Sequence, residues 1–392
     1  MKKQIAILGS TGSIGKKTFN IIYKNKNNFD VVLLTTNSNS KKILSQAKKL
    51  NVKNIIITDR KKYIQIIKNN RNKNLKIYNN FLKLNKIFKK RIDYLMSSIG
   101  GLDGLEPTIL CIKFTKKIAV ANKESIICGW NLIRNELIKH KTSFVPVDSE
   151  HFSLWNIINE NNKKNIDKIF ITASGGPFLK TSLKNINKVK PHEAIKHPNW
   201  KMGKKISIDS ATMMNKVFEI IEANKIFDIN PNKFDILIHP KSYIHAIVKF
   251  KNGLIKIVAH DTDMSIPISN TIFGTNNLIF NKSKIRLDIL NQLNFIKPNL
   301  KKYPSIKLLN KISKKNTLFE TALISINDEL VNQFLINKIK FTEINSFLIN
   351  ILRLKKINKS YQKSILSFNQ IDEFKKMVTI ETYKYVQNKK KL

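Results

Sequence analysis

Cysteine is nearly absent from this chain: Cys111 and Cys128 are the only two thiols in 392 residues. That excludes a disulfide framework and a cysteine-built zinc site, and it fits a reducing compartment. Long apolar runs are missing as well. No stretch reaches the roughly 20 residues that a membrane span needs. The opening MKKQIAILGSTG enters a strand within a few residues, where a secretory signal would carry an apolar region and a cleavage site. The expectation is a soluble, cytoplasmic protein with no membrane partner. Acidic residues are scarce too: 27 Asp and Glu against 71 Lys and Arg leave a formal charge of +44. Such a charge raises the question of nucleic acid. Yet Lys is spread through the whole chain together with Asn and Ile, no basic stretch is interleaved with exposed aromatics, and no zinc-finger spacing occurs. We therefore expect no nucleic-acid partner, although the charge would help to attract anionic substrates. What is present is a globular composition, 42% hydrophobic with 22 Phe, in a chain long enough for two or three domains.

Strand and helix patterns alternate at the start. QIAIL (4–8) reads as a strand, GSTGSIG as a turn, and KKTFNIIYKN as a helix whose Phe19, Ile22 and Tyr23 share a face. Strands VVLLTT (31–36), NIIIT (54–58), IDYLMSSI (92–99) and KIAVAN (117–122), with a helix from Lys41 to Leu50, continue a parallel, doubly wound pattern. From there to about 275 the pattern turns to mixed strands and loops, among them DKIFITASGGPF, KKISIDSATMMNK, FDILIHP, IHAIVKF and LIKIVAH. Asn252 and Gly253 supply a hairpin turn between the last two. Beyond about 303 the periodicity is helical. The expected fold is α/β: a Rossmann-like parallel-sheet domain over 1–148, a central α+β domain over 149–275, a connection over 276–302 and a helical bundle over 303–392.

Two motifs carry chemistry on their own. In GSTGSIG, Gly9, Gly12 and Gly15 lie at a strand-to-helix turn, where glycine lets the backbone approach a pyrophosphate and the first helical amides attract its charge. The first gap is one residue longer than in the usual dinucleotide fingerprint, but the placement between strand and helix favours nucleotide binding. The second strand ends at Thr36-Asn37-Ser38-Asn39 with no acid to hold a ribose hydroxyl. Lys41 and Lys42 follow, which favours NADPH over NADH. In VPVDSEH (145–151), Asp148 and Glu150 flank Ser149. If the preceding strand continues, both carboxylates point the same way and suit a hard cation. A solvated strand end with two surface acids remains the other reading.

Four further segments follow in order: ANKES (121–125), SGGPF (174–178), KHPNWKMG (196–203) and DSATMMNKVFE (209–219). With GSTGSIG and VDSEH they make the chain resemble the 1-deoxy-D-xylulose 5-phosphate reductoisomerase family from residue 4 to about 340. The resemblance implies a metal- and NADPH-dependent enzyme that rearranges a ketose phosphate and reduces the product to 2-C-methyl-D-erythritol 4-phosphate, in isoprenoid synthesis, as a homodimer. It implies Mg²⁺ or Mn²⁺, with Co²⁺ as a third candidate, held by Asp148, Glu150 and Glu219. Lys123 would contact the substrate hydroxyls together with Ser149, Glu150 and Glu219. Ser174, His197, Ser210, Asn215 and Lys216 would bind the phosphate. The cofactor would meet Thr11, Gly12, Ser13, Ile14, Asn39, Asn122, Glu124 and Gly203, and Trp200, Met202 and Gly203 would form a flap.

The chain departs from the family pattern at several places. Asn37 stands for a glycine; Asn can still reach the left-handed conformation, but together with the change at Ser38 it is expected to weaken cofactor affinity. Ser38 replaces a residue that is often basic, Ser265 an arginine, and Asp328 a glutamate. Asp103 and Glu106 put charge into a segment that is usually apolar. The rival chemistry is an aspartate-semialdehyde-type dehydrogenase, which needs an activated cysteine. Cys111 and Cys128 sit in apolar runs that would leave a thiol inert.

Overall fold

The structure is a computed structural model that describes residues 1–159, 163–200, 202–274, 285–312 and 316–390. Residues 276–284 of the expected connection, Lys201 of the expected flap and residues 313–315 of the helical region lie outside the described residues. The chain divides into two compact units that are discontinuous in sequence. One is built from Met1–Ile126, Leu132–Phe152 and the segment starting at Met264. The other holds Ile127–Asn131, Ser153–Asp263 and the C-terminal part of the chain.

The first unit is a seven-stranded parallel sheet. Its elements are β1 (Lys3–Leu8), α1 (Ser13–Lys24), β2 (Phe29–Thr36), α2 (Ser40–Lys49), β3 (Asn54–Ile57), α3 (Arg60–Asn69), β4 (Lys76–Tyr78) and α4 (Leu84–Ile87). They continue with β5 (Tyr94–Ser97), α5 (Leu105–Ile112), β6 (Lys117–Val120), α6 (Lys123–Lys139) and β7 (Ser143–Pro146). The strand order is β4-β3-β2-β1-β5-β6-β7, so the winding reverses between β1 and β5. Ligands of such sheets bind at that reversal, beyond the carboxyl ends of the strands. The strands are continuous apolar runs because both faces are covered. Ile5, Ile7 and Leu8 are fully buried, and each contributes roughly 2 kcal/mol, enough to outweigh the roughly 1 kcal/mol entropic cost of a glycine next door.

The helix after β7, α7 (Ser149–Asn159), begins immediately past Val147 and Asp148. This corrects one expectation. The strand stops at Pro146, so Asp148 and Glu150 do not alternate along an extended chain. The Phe152 amide donates to the Asp148 carbonyl at 2.8 Å and the Glu150 amide to Asp148 Oδ1 at 3.3 Å, the pattern of a capping aspartate with Glu150 in the first turn.

In the second unit, β8 (Ile166–Ala173) is followed by α8 (Pro191–Ala194), α9 (Lys204–Ala211) and α10 (Met214–Phe227), then β9 (Phe234–Ile238), β10 (Ile244–Phe250) and β11 (Ile255–Ala259). The sheet order is β11-β10-β8-β9, with β8 and β9 parallel and the other pairs antiparallel. Gly253, at φ +87°, makes the expected hairpin turn between β10 and β11. KKISIDSATMMNK is helical, not part of a strand-and-loop stretch. Its alternating apolar residues mimic a strand, but Ser207 and Asp209 are buried, and Asp209 takes a hydrogen bond from Asn327 far along the chain.

After β11, α11 (Ser265–Phe273) returns to the first unit. Thr271 there hydrogen-bonds the Tyr94 hydroxyl at 2.8 Å, and Phe273 meets Phe29 edge-on. The short helix α12 (Leu287–Leu290) falls in the expected connection, and α13 (Phe319–Leu335), α14 (Phe341–Leu352), α15 (Lys355–Tyr361) and α16 (Phe368–Lys390) make the described part beyond 303 mainly helical, as expected. Among the described residues no helix is long and apolar enough to cross a membrane.

Candidate active site

The glycine turn after β1 is a backbone cradle. Gly9 has φ +74°, and a Cβ there would lie 2.7 Å from the Ser98 carbonyl oxygen at the end of β5. A Cβ on Gly15 would lie 2.1 Å from the Gly9 carbonyl oxygen. One glycine turns the chain and the other lets α1 pack on the turn. Helix α1 starts at Gly12 with no side-chain cap and no acid in its first turn, so the amides of Ser13, Ile14 and Gly15 form an anion-binding end. The turn is tied to β2 and α2: Gly9 N donates to Thr35 Oγ1 at 2.8 Å, and the Thr11 and Thr36 hydroxyls pair at 2.6 Å. Ser10 and buried Gln46 exchange two hydrogen bonds. Sequence reasoning passed over Gln46, since nothing local marks a glutamine as the partner of a turn 36 residues away.

Asn39 caps α2 by accepting the Lys42 amide at 3.2 Å, and Asn37, Ser38, Lys41 and Lys42 are exposed around it. Asn37 is not among the residues with positive φ, so the left-handed conformation open to Asn is not used. Its side chain accepts from Thr58 Oγ1 instead. Asn122 caps α6 by accepting the Ser125 amide at 3.0 Å. It also donates to the carbonyls of Ile99 and Gly101, holding the loop after β5. Glu124 follows in the first turn of α6. Asp103 and Glu106 are exposed in the first turns of a short 3₁₀ segment and of α5, where the helix dipole favours an acid.

Neighbouring strand ends bring Lys123 and Asp148 together. β6 pairs with β7 through Val120 and Pro146, so residues just past each strand face one another. Lys123 is buried, 8% exposed, with Nζ 3.3 Å from Asp148 Oδ2. An ammonium so enclosed needs a charge partner, and this partner is one of the predicted ligands. His151 Nδ1, fully buried, lies 3.5 Å from Asp148 Oδ1, a neighbour the sequence reading did not single out. The Ser149 hydroxyl donates to Glu150 Oε2.

In the second unit, Ser174 follows β8, and Gly175 and Gly176 have φ +85° and +70°. A Cβ on Gly176 would lie 2.8 Å from Ala211 Cα, so glycine there lets the loop close on the end of α9 beside Ser210. His197 Nδ1 accepts the amides of Asn199 and Trp200 at 3.2 and 3.0 Å. The proton is therefore on Nε2, which donates to Ser174 Oγ at 2.8 Å. Ser174 Oγ also accepts the Gly176 amide, which leaves its own proton to donate. Burial, followed by the charge of Lys216, lowers the His197 pKa to about 4. Asn199 anchors this loop by donating to the Pro240 carbonyl and to Ser242 Oγ. A Cβ on Gly203, which caps α9, would meet nothing within 4 Å.

Met213 joins α9 to α10 at φ +63°. That conformation is costly for so large a side chain, and it falls between Ser210 and Asn215. Glu219 is buried, 1% exposed, and is not the surface acid that a helix position would suggest. Asn215 donates to its Oε1 and Lys216 to its Oε2. Lys205 lies 2.9 Å from Asp209 and 3.0 Å from Asp328, so the aspartate at 328 still reaches a cation. Ser265 opens α11. Both cysteines are buried, and burial pushes the Cys111 thiol up to about 12, which removes it as a nucleophile at neutral pH.

Comparison with known proteins agrees across the chain. The family model described as 1-deoxy-D-xylulose 5-phosphate reductoisomerase matches residues 5–129. Models for the C-terminal domain of that enzyme match residues 144–227 and 260–378. The reductoisomerase of Pelagibacter ubique is 56% identical over 344 residues, 87% of this chain and 89% of that protein. A reductoisomerase of Wolbachia from Drosophila simulans is 38% identical over 347 residues, 87% of this chain and 88% of that protein. Among solved structures, the Zymomonas mobilis reductoisomerase in complex with NADPH has a TM-score of 0.89 at 30% identity, covering 98% of this chain and 99% of that one. A reductoisomerase in complex with NADPH, fosmidomycin and magnesium has a TM-score of 0.91 at 31% identity, covering 99% of both chains. The chain belongs to the 1-deoxy-D-xylulose 5-phosphate reductoisomerase family.

Proposed function

We propose that this chain converts 1-deoxy-D-xylulose 5-phosphate to 2-C-methyl-D-erythritol 4-phosphate with NADPH and a divalent cation, Mg²⁺ or Mn²⁺. The observation that carries the reading is the buried Lys123–Asp148 pair at the ends of β6 and β7, in a chain 56% identical to a named reductoisomerase. The glycine turn fits the cofactor: its clearance admits a pyrophosphate, and the uncapped start of α1 supplies the donors. Asn39, Lys41 and Lys42 stand where a 2′-phosphate needs partners. Asn122 supports this side by fixing the loop after β5. Residues 1–148 would serve as the cofactor domain, 149–275 as the catalytic domain and 303–392 as its helical support.

Asp148, Glu150 and Glu219 would hold the cation; three carboxylates and no sulfur suit a hard ion. When bound, the cation polarises the substrate carbonyl as a Lewis acid and NADPH supplies the hydride. The protein's own groups do the rest. Lys123 offers a proton and positive charge to the substrate hydroxyls, and Ser149 is placed to share them. Ser174 keeps its own proton to donate, because His197 and the Gly176 amide both donate to its oxygen. Ser210, Asn215, Lys216 and His197 complete a phosphate site made from hydroxyls, an amide, an imidazole and one cation. Trp200, Met202 and Gly203 would exclude water above it. The family also suggests a homodimer, and two buried free thiols support a cytoplasmic setting. The direct test follows NADPH absorbance with 1-deoxy-D-xylulose 5-phosphate and either ion. Turnover is expected, and none with either ion overturns the reading.

A further inference from the structure

The loop carrying His197 and Trp200 is held by polar bonds through Asn199, described above, and also by rings. The Trp200 ring meets the His245 ring edge-on, with centroids 6.1 Å apart at 71°. His245 in turn lies flat against His260, 3.7 Å away at 17°. The hairpin sets this arrangement: His245 is on β10, His260 directly follows β11, and the His260 amide donates to the Tyr243 carbonyl at 3.0 Å. Carbonyls only accept, so the bond from His245 Nε2 to the His260 carbonyl and that from His260 Nδ1 to the Asp261 carbonyl fix the donor nitrogen of each ring. His260 Nε2 is buried with no hydrogen-bond partner. The Nε2 edge of this imidazole therefore makes no polar bond, and what the residue offers its neighbour is a flat ring. Burial holds its pKa below the ordinary value, against the Asp261 carbonyl and the charges of Asp261 and Asp263, so near neutral pH the His260 ring stacks as an uncharged imidazole.

We propose that His260 is a positioning residue for the Trp200 loop: flat against His245, it fixes the ring on which Trp200 rests, and so sets the pose of the loop that carries His197 to the phosphate. The proposal rests on the function assigned above. The test compares wild type, His260→Ala and His260→Phe, with Mg²⁺ present. His260→Ala is expected to raise KM for 1-deoxy-D-xylulose 5-phosphate by roughly 3- to 10-fold, the scale of one lost ring contact, with kcat and KM for NADPH within about twofold. His260→Phe, which keeps a ring, should return KM to within about twofold of wild type. Trp200 emission, taken as the difference from the Trp200→Phe variant in each background, should shift to the red in His260→Ala and recover in His260→Phe. An unchanged KM and emission in His260→Ala overturns the proposal, as does a His260→Phe protein that folds but behaves like His260→Ala. Should His260→Ala unfold, His260→Gln takes its place with the same expectations. The emission readout needs no turnover, so a wild-type protein that fails to turn over the substrate refutes the assigned activity and leaves this test standing.

Discussion

At the glycine turn of the first unit the groups proposed to meet a ligand are backbone: amides at the uncapped start of α1, beside glycines whose places a Cβ would block. In the second they are side chains held by other side chains, such as Asn215 and Lys216 on Glu219, or His197 on Ser174. A backbone site is set by local conformation, so it is rigid and intolerant of bulk. A side-chain site depends on a chain of partners, so it tolerates bulk but responds to charge and pH.

Four measurements would break or sharpen that contrast. The largest effect is expected for Glu219→Gln, and equally for Glu150→Gln: loss of a proposed cation ligand should lower kcat by at least about 100-fold. NADPH affinity from fluorescence titration should stay within about twofold, and its loss would mean that the two sites are not separate. Next comes Gly15→Ala. A methyl group aimed 2.1 Å from the Gly9 carbonyl oxygen should cost about 3 kcal/mol in denaturant unfolding and weaken NADPH binding, and an unaffected Kd would show the turn to be softer than argued.

The third is a matter of pH. His197 titrates near 4 in the folded protein and near 6.5 when unfolded, so between those values the unfolded chain binds the extra proton. Its contribution to stability is full above 6.5 and is lost as the pH falls towards 4, a change on the order of 1–2 kcal/mol after allowance for partial exposure. Urea midpoints should fall less over this range in His197→Gln than in wild type. The smallest effect belongs to Asn39→Ala, which removes the cap of α2 and should cost about 1 kcal/mol, read as a lower melting temperature with Kd for NADPH raised only severalfold.

The same contrast decides what was legible in the sequence. The strand, glycine turn and helix from Lys3 to Lys24, and the hairpin at Gly253, were readable because glycine spacing and alternation are local signals. Asp148 and Glu150 were recognised as a pair, but their geometry was misjudged. Alternation holds only along a strand, and Asp148 instead caps a helix. KKISIDS misled for the reverse reason, since the hydrogen bond that buries Asp209 comes from Asn327, on α13. Gln46, His151 and His260 carried no signal of their own. Each gains its meaning from a residue brought near by folding.

Asn122 is a case where the usual latitude of a position has been withdrawn. Asn and Asp are near equals as helix caps, so a substitution survey of most such sites would find either. Here the side chain has a direction, taking one amide proton at Oδ1 and giving two to the carbonyls of Ile99 and Gly101. A carboxylate could keep the first bond but would turn negative charge on two oxygens. The change of one atom, which spontaneous deamidation also makes, would spare the helix and undo the loop, so the working lifetime of the protein at this point is a question of chemical ageing more than of folding.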